Sequence, residues 1–516
     1  MDLESSNQVV KPIESTDQSV QDARDLAAMG HDQALSRKFD MWSMLALAFC
    51  VLGTYSTFAQ GLSSGLTNGG AVTILWGLCL VTACNLCVAL SLGELASSMP
   101  TALGQAYWVY RMWPTPLGRF TSYMCAWINT FGWWTLTASQ TAFMTEFLLG
   151  MKTTFAPEWD GSSKGWLQFV IYIAIVFVLT LINVVGCRST KTLPWINNFV
   201  GIWFTGLFVV LSLALLISVG VRSGKSFQPA TFAFGAWINA TGWPDGVVWF
   251  TGLVQAAYGL TAFDSVIHLV EEIPSPRTNA PKITWLAVAF GAVTGFIFMV
   301  VCLFCMQDVN EIVNANIPFV ELMLQAIGLE GGATLIALFI FNGLGQGISI
   351  LTTGSRLTWG FARDGGLPFS RYLSHVDKVW QAPVRALWFQ GFLIALVGIL
   401  YLFASTVLQA ILSVSTIALT ISYAMPVLAL LMVGRDKLPP GEFRLGRLGP
   451  LLNWMNYAIA VFGVMLVIAI TFWFVQGNRT YLNTEDAIAQ MVVAQRMEVE
   501  QPVEVMEDAA ESEKKS

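Results

Sequence analysis

Ala257-Tyr258-Gly259-Leu260-Thr261-Ala262-Phe263-Asp264 lies inside an apolar stretch, residues 247–270, that is long enough to cross a bilayer as a helix. A glycine, hydroxyl groups and a carboxylate in such a place interrupt the pattern of a plain lipid-facing helix. Some 206 residues earlier, Gly53-Thr54-Tyr55-Ser56-Thr57 interrupts the stretch 42–66 in the same manner. Paired interruptions in two halves of a polytopic chain are the sequence mark of broken helices, whose freed backbone groups face a solute at mid-membrane. The carboxylate matters most, because an intramembrane Asp is costly unless it is paired, protonated or hydrated.

Working outward, apolar stretches recur at 71–97, 119–149, 166–186, 194–220, 283–305, 332–360, 385–404, 406–432 and 451–475, making about eleven spans in all. The composition agrees: of 516 residues 55% are hydrophobic and only 12% charged, which excludes an ordinary soluble globule. The net charge of −6 belongs to the ends. Residues 1–41 hold 4 basic and 8 acidic groups and residues 477–516 hold 4 and 9, which leaves 19 basic and 16 acidic groups between them. Both ends are expected to be solvated tails. No basic tract suits nucleic acid. The eight scattered cysteines and three separated histidines suggest neither a disulfide framework nor a metal site, and no cofactor is expected. With a polar N-terminus, the first apolar stretch is expected to serve as the insertion signal.

Sidedness follows from basic residues in the short loops. With the N-terminus inside, fifteen fall in inner loops, among them Arg188, Arg277, Arg356, Arg363 and Arg435, against only Lys152, Lys164, Arg222 and Lys225 outside. The sequon Asn239-Ala240-Thr241 then falls outside, as does the acidic loop 306–331 with Asp308, Glu311, Glu321 and Glu330. Glu94 and Glu271, with Glu272 and His268 nearby, stand at span ends as gating or coupling candidates, equally readable as solvated end charges. Glu146 reads as interfacial. Trp127, Trp133 and Trp134 with Tyr55, Tyr258 and Phe263 offer aromatic faces which, beside one carboxylate, suit a substrate bearing a positive amine. Asn342-Gly343-Leu344-Gly345-Gln346-Gly347 combines small residues for close helix approach with two amides. No Ser-centred nucleophile or His/Asp cluster marks an enzyme.

Four blocks in order resemble the amino acid, polyamine and organocation permeases, and within them the fungal amino-acid and choline transporters. They are Gly93-Glu94-Leu95-Ala96-Ser97-Ser98-Met99-Pro100-Thr101-Ala102 with Gln105-Ala106-Tyr107-Trp108; Trp127-Ile128-Asn129 with Gly132-Trp133-Trp134; Phe263-Asp264-Ser265-Val266-Ile267-His268 with Glu271-Glu272-Ile273-Pro274; and Ala362-Arg363-Asp364-Gly365-Gly366-Leu367-Pro368. The resemblance runs from about residue 40 to 481. It implies an all-α polytopic fold of two inverted five-helix repeats, residues 42–220 and 247–432, with broken first and sixth helices. It also implies alternating access and proton-coupled import of a small amine such as an amino acid, choline, γ-aminobutyrate or a polyamine across a fungal plasma membrane. By similarity, Gly53, Thr54, Tyr55 and Ser56 receive the substrate's polar end, while Trp133 and the segment Tyr258, Gly259, Phe263 and Asp264 complete the pocket. Two other roles fit the same fold: a non-transporting nutrient sensor, or an exporter of a related amine. Thr54 and Tyr55 are bulkier than the small residues many amino-acid carriers have there. The family normally has twelve spans. Here the chain runs from Arg447-Leu448-Gly449 into Asn453-Trp454-Met455-Asn456-Tyr457, the start of the last one, so the eleventh of twelve is missing. Either the final segment spans, placing an outer tail in which Asn478 is a second sequon, or it does not span normally, or the coding sequence has lost an exon.

Overall fold

The computed structural model describes residues 14–189, 191–377, 380–402 and 407–456. Most of the stretch 451–475, the acidic segment 477–516 and Asn478 lie outside the described residues. The described chain is helical, and its only extended pairings are two isolated bridges. Eight of its helices are long and apolar enough to cross a membrane, and together with the third and sixth segments they account for all ten of the spans expected before residue 433.

Local chemistry sets the boundaries. Asp40 starts the first span at Met41 with a reciprocal capping box, its carboxylate accepting from Ser43 N–H at 2.7 Å while Ser43 Oγ accepts from Asp40 N–H at 2.9 Å. Thr115 caps the third span, with Pro116 at its first position. That span, Pro116–Phe155, is long but rich in Thr, Ser and Gln, the composition of a helix buried within a bundle.

The long helices pair across the two halves: Gly70–Ser98 on Pro276–Cys305, Pro116–Phe155 on Leu329–Arg363, and Gly165–Cys187 on Val384–Gly398. Each is the second, third or fourth span of its half meeting its counterpart five spans on, the packing expected of two interleaved repeats. Apolar side chains such as Phe177, Ile202, Ile217 and Phe392 are more than half exposed on the rim, where a bilayer replaces water.

Two expectations change. Residues 19–40 are not a wholly solvated tail. Glu14–Ala28 is helical, and Leu26, Leu35 and Phe39 are buried against one end of the bundle, called here the tail face. Arg356, counted above among the inner-loop residues although it falls within the stretch 332–360, is fully buried inside the eighth span.

Candidate functional site

Both interrupted segments are broken, by different means. The first span is helical over Met41–Leu52, turns through Gly53 at φ 55°, and resumes at Thr54–Gln60. Only glycine adopts this φ without cost, and a β-carbon on Gly53 would overlap the Gln346 amide. The sixth span runs over Asp245–Gly259, unwinds through Leu260–Asp264 and resumes briefly at Ser265–His268. Its Ala262 sits at φ 66°, strain that the surroundings hold in place. The two breaks touch: a β-carbon on Gly259 would meet the Phe58 ring at 2.6 Å, and Gln255 Nε2–H donates to Phe58 O at 2.9 Å.

Asp264 is completely buried, and both its oxygens are taken. Oδ1 accepts from the Tyr423 hydroxyl at 2.7 Å, while Oδ2 faces Gln105 Nε2 at 2.8 Å, His268 Nε2 at 2.9 Å and, distantly, Trp133 Nε1 at 3.5 Å. Tyr423 also accepts from Ala262 N–H at 3.1 Å, and Asn85 donates to Leu260 O at 3.0 Å. The polar groups freed by unwinding are therefore capped by side chains from the second and tenth spans. Gln105 is held in turn by Asn129 at 3.1 Å.

Among the other expected site residues, Tyr258 hydrogen-bonds Ser139 at 2.9 Å, and Phe263 packs on the Tyr423 ring at 4.8 Å between centroids. Of the three tryptophans, Trp133 reaches Asp264 and stands edge-on to His268. Trp134 donates to Thr358, and Trp127 packs on Phe361. Tyr55 turns toward the fifth and seventh spans: its hydroxyl donates to Phe204 O at 2.9 Å, and its ring lies among Phe204, Phe208 and Phe298.

A second polar group gathers at the first break. Ser56 Oγ accepts from Gln60 Nε2 at 3.1 Å and faces Asn342 Nδ2 at 3.5 Å, and Gln346 Nε2 donates to Val51 O at 3.3 Å. With their nitrogens so engaged, the amide oxygens of Gln60, Asn342 and Gln346 are buried without a hydrogen-bond partner. Buried acceptors left open around a helix break suit a ligand that brings donors, such as an ammonium group. The amides flagged in Asn342–Gly347 thus sit beside Gly53 and Ser56, while Gly343, Gly345 and Gly347 pack closely on Met144, Val200 and Leu179.

At the tail face every glutamate candidate is paired. Glu94 takes Arg435 on both oxygens at 2.7 Å and also accepts from Leu445 N–H at 2.9 Å. Glu271 takes Arg363 in a two-point contact at 2.9 and 3.1 Å, and Glu272 takes the buried Arg356 at 2.7 Å. The N-terminal segment closes over them. Gln33 donates to Glu271 O at 2.9 Å, Arg277 pairs with Asp25 at 2.8 Å, and His31 lies 3.7 Å from Asp364. Burial, reinforced by nearby Arg363, lowers the His31 pKa below its usual 6.5, and burial likewise lowers that of Lys38 and raises that of Asp364.

At the opposite face Glu146, Asp308, Glu311 and Glu321 line a cavity of about 930 Å³ with no basic residue in its wall. Asn239 is exposed there, its side-chain nitrogen donating to Trp243 O at 2.7 Å and Asp245 at 3.0 Å.

Sequence reasoning passed over Gln105, Asn129, His268 and Tyr423 as members of the Asp264 cluster. His268 had a signal: four residues after Asp264, it falls on the same face of a helical turn. Tyr423 had none, being 159 residues away in a plain apolar span.

The model of the family described as amino acid permease matches residues 39–494. Among curated proteins the chain is similar to a choline transporter of Saccharomyces cerevisiae, 29% identical over 90% of this chain and 81% of that protein. A putative amino acid/polyamine transporter of Macrophomina phaseolina is 29% identical over 82% and 92%, and a GABA-specific permease of S. cerevisiae is 26% identical over 87% and 78%.

Proposed function

The chain belongs to the amino acid permease family, and from that premise we propose that it imports a small amine solute by proton symport with alternating access at the two helix breaks. That it is a multi-pass transporter of small amine solutes, and not an enzyme, follows from the family and from the relatives named above. The observation that carries the finer reading is the pair of touching breaks with an acceptor-rich junction on one side, at Ser56, Asn342 and Gln346, and the buried Asp264 on the other. The three open amide oxygens suit the substrate's ammonium or other polar end, and Tyr258 and Phe263 close the pocket. Asp264, with both oxygens already taken by protein donors, serves coupling rather than a direct grip on the amine.

With the buried Arg356 set aside, fourteen basic residues against four favour a cytoplasmic N-terminus in a plasma membrane, which makes the tail face the inner one and its glutamate pairs the closed inner gate. The acidic cavity then opens outward, where it concentrates cations. Relatives named for choline, GABA and amino acids or polyamines set the substrate panel.

Uptake of radiolabelled choline, γ-aminobutyrate, basic amino acids, proline and a polyamine into yeast lacking its own carriers tests the reading. One amine accumulates above the empty-vector background, more strongly at acidic external pH, and Asp264→Asn abolishes the accumulation. Background levels of all five classes, or unchanged uptake by the variant, sink it.

A further inference from the structure

We infer that Asp264 and His268 share one exchangeable proton, and that holding it fastens the tail face shut. His268 Nδ1 lies 2.9 Å from Ala102 O, a carbonyl that can only accept, so Nδ1 carries a hydrogen. Nε2 lies 2.9 Å from Asp264 Oδ2, and that contact also needs a hydrogen, supplied by an imidazolium or by a protonated carboxyl. Rotating the ring by half a turn would set carbon atoms against both oxygens and lose both bonds. Either placement of the hydrogen makes the pair neutral. Without it, a carboxylate oxygen and an imidazole lone pair would face each other in a site with no solvent exposure, and the contact could not persist.

The surroundings leave the proton to this pair. The groups facing it are Gln105, Tyr423 of the tenth span, and Trp133 and Asn129 of the third, none of them charged. The charges on the adjoining elements are committed to pairs of their own, Arg356 with Glu272 and Arg363 with Glu271.

The same residue that holds His268 also holds the gate. Ala102 accepts from His268 through its carbonyl and donates its N–H to Glu271 Oε1 at 3.1 Å. Glu271 is the residue bound twice by Arg363 and, through its own carbonyl, by Gln33 of the N-terminal segment. Losing the proton frees His268, and with it the loop Met99–Gly104 that braces Glu271. By linkage, opening the tail face lowers affinity for the proton and releases it there. The inference takes its place in a transport cycle from the function proposed above, but the existence of the shared proton does not depend on that function.

Infrared difference spectra of the purified full-length protein, stepped in pH, read the proton without any substrate. One protonation step with carboxyl or imidazole bands is expected, absent from both Asp264→Asn and His268→Gln. Above the step, amide protection in Met99–Gly104, corrected for intrinsic rates, falls by about tenfold or more in the wild type. Should those variants not fold, Tyr423→Phe removes one donor from the carboxylate, and its step is retained with a displaced midpoint. A step that survives in either charge variant, or an unmoved midpoint in Tyr423→Phe, overturns the shared site. A step with constant protection of Met99–Gly104 overturns its tie to the gate. Failure of the transport reading would appear separately, as wild-type uptake at background.

Discussion

Arg356 and Glu272 meet at 2.7 Å with both side chains sealed from solvent, tying the eighth span to the chain just after the sixth-span break. Such a pair adds little net stability compared with apolar residues of equal volume, but removing one member strands the other. Glu272→Gln is therefore expected to cost about 3–5 kcal/mol. Thermal unfolding in detergent measures this. The double variant Arg356→Met, Glu272→Leu should recover much of the loss, and a double variant as unstable as the sum of its singles would contradict the argument.

Gly53 has neither steric room nor conformational tolerance for a side chain. At φ 55° an L-residue costs about 1–2 kcal/mol, and its β-carbon would displace the Gln346 amide that reaches Val51 O. Gly53→Ala is expected to keep the protein folded and membrane-inserted, as read by gel filtration, while reducing uptake at least tenfold. Ala262 is the opposite case. It already bears a positive φ, so Ala262→Gly should preserve uptake and leave stability within about 1 kcal/mol.

What the sequence disclosed and what it hid divide along a physical line. Apolar length and polar interruption are local properties, so the ten spans and both breaks could be read directly from the composition of each stretch. Asp264 stood out because a lone carboxylate in an apolar run has no local explanation. Its partners Gln105 and Tyr423, and Asn129 that holds Gln105, come from separate helices, and only folding brings them together. Tyr55 looked like its neighbours Thr54 and Ser56, yet helical rotation of one residue turns it toward Phe204 instead. The docking of residues 19–40 was hidden by their polarity: Asp22, Asp25 and Gln33 are spent on ion pairs and backbone groups rather than on water.

Docking of that segment should weaken on acidification. His31 is buried where its charged form is disfavoured, so its pKa lies below the usual 6.5 in the docked state. For a basic group shifted down, the stabilisation is complete above the undocked value and is lost as pH falls below it, because the released segment binds the proton more readily. Tryptic cleavage at Arg24 and Arg37 is expected to accelerate between pH 7 and pH 5.5, after correction for the enzyme's own pH dependence. His31→Gln flattens the response. Cleavage equally slow across the range would remove His31 as its cause.

Loosening the gate should expose a cysteine that is now shielded. Cys187 is 1% accessible, with the Arg356 guanidinium 3.7 Å from its sulfur and Lys38 of the N-terminal segment reaching its carbonyl at 3.5 Å. Glu271→Gln removes the charge that Arg363 grips at two points, and charge-assisted bonds of this kind contribute about 1.5–3 kcal/mol. A population shift of that size raises the fraction of time the tail face is open by about tenfold or more. Maleimide modification of Cys187, followed at the peptide level by mass spectrometry, should accelerate accordingly. Glu94→Gln, which unfastens Arg435 and the Leu445 N–H from the second span, should act in the same direction. If both variants label at the wild-type rate, these ion pairs brace the fold without holding the gate, and control of opening must lie deeper, at the Asp264 cluster itself.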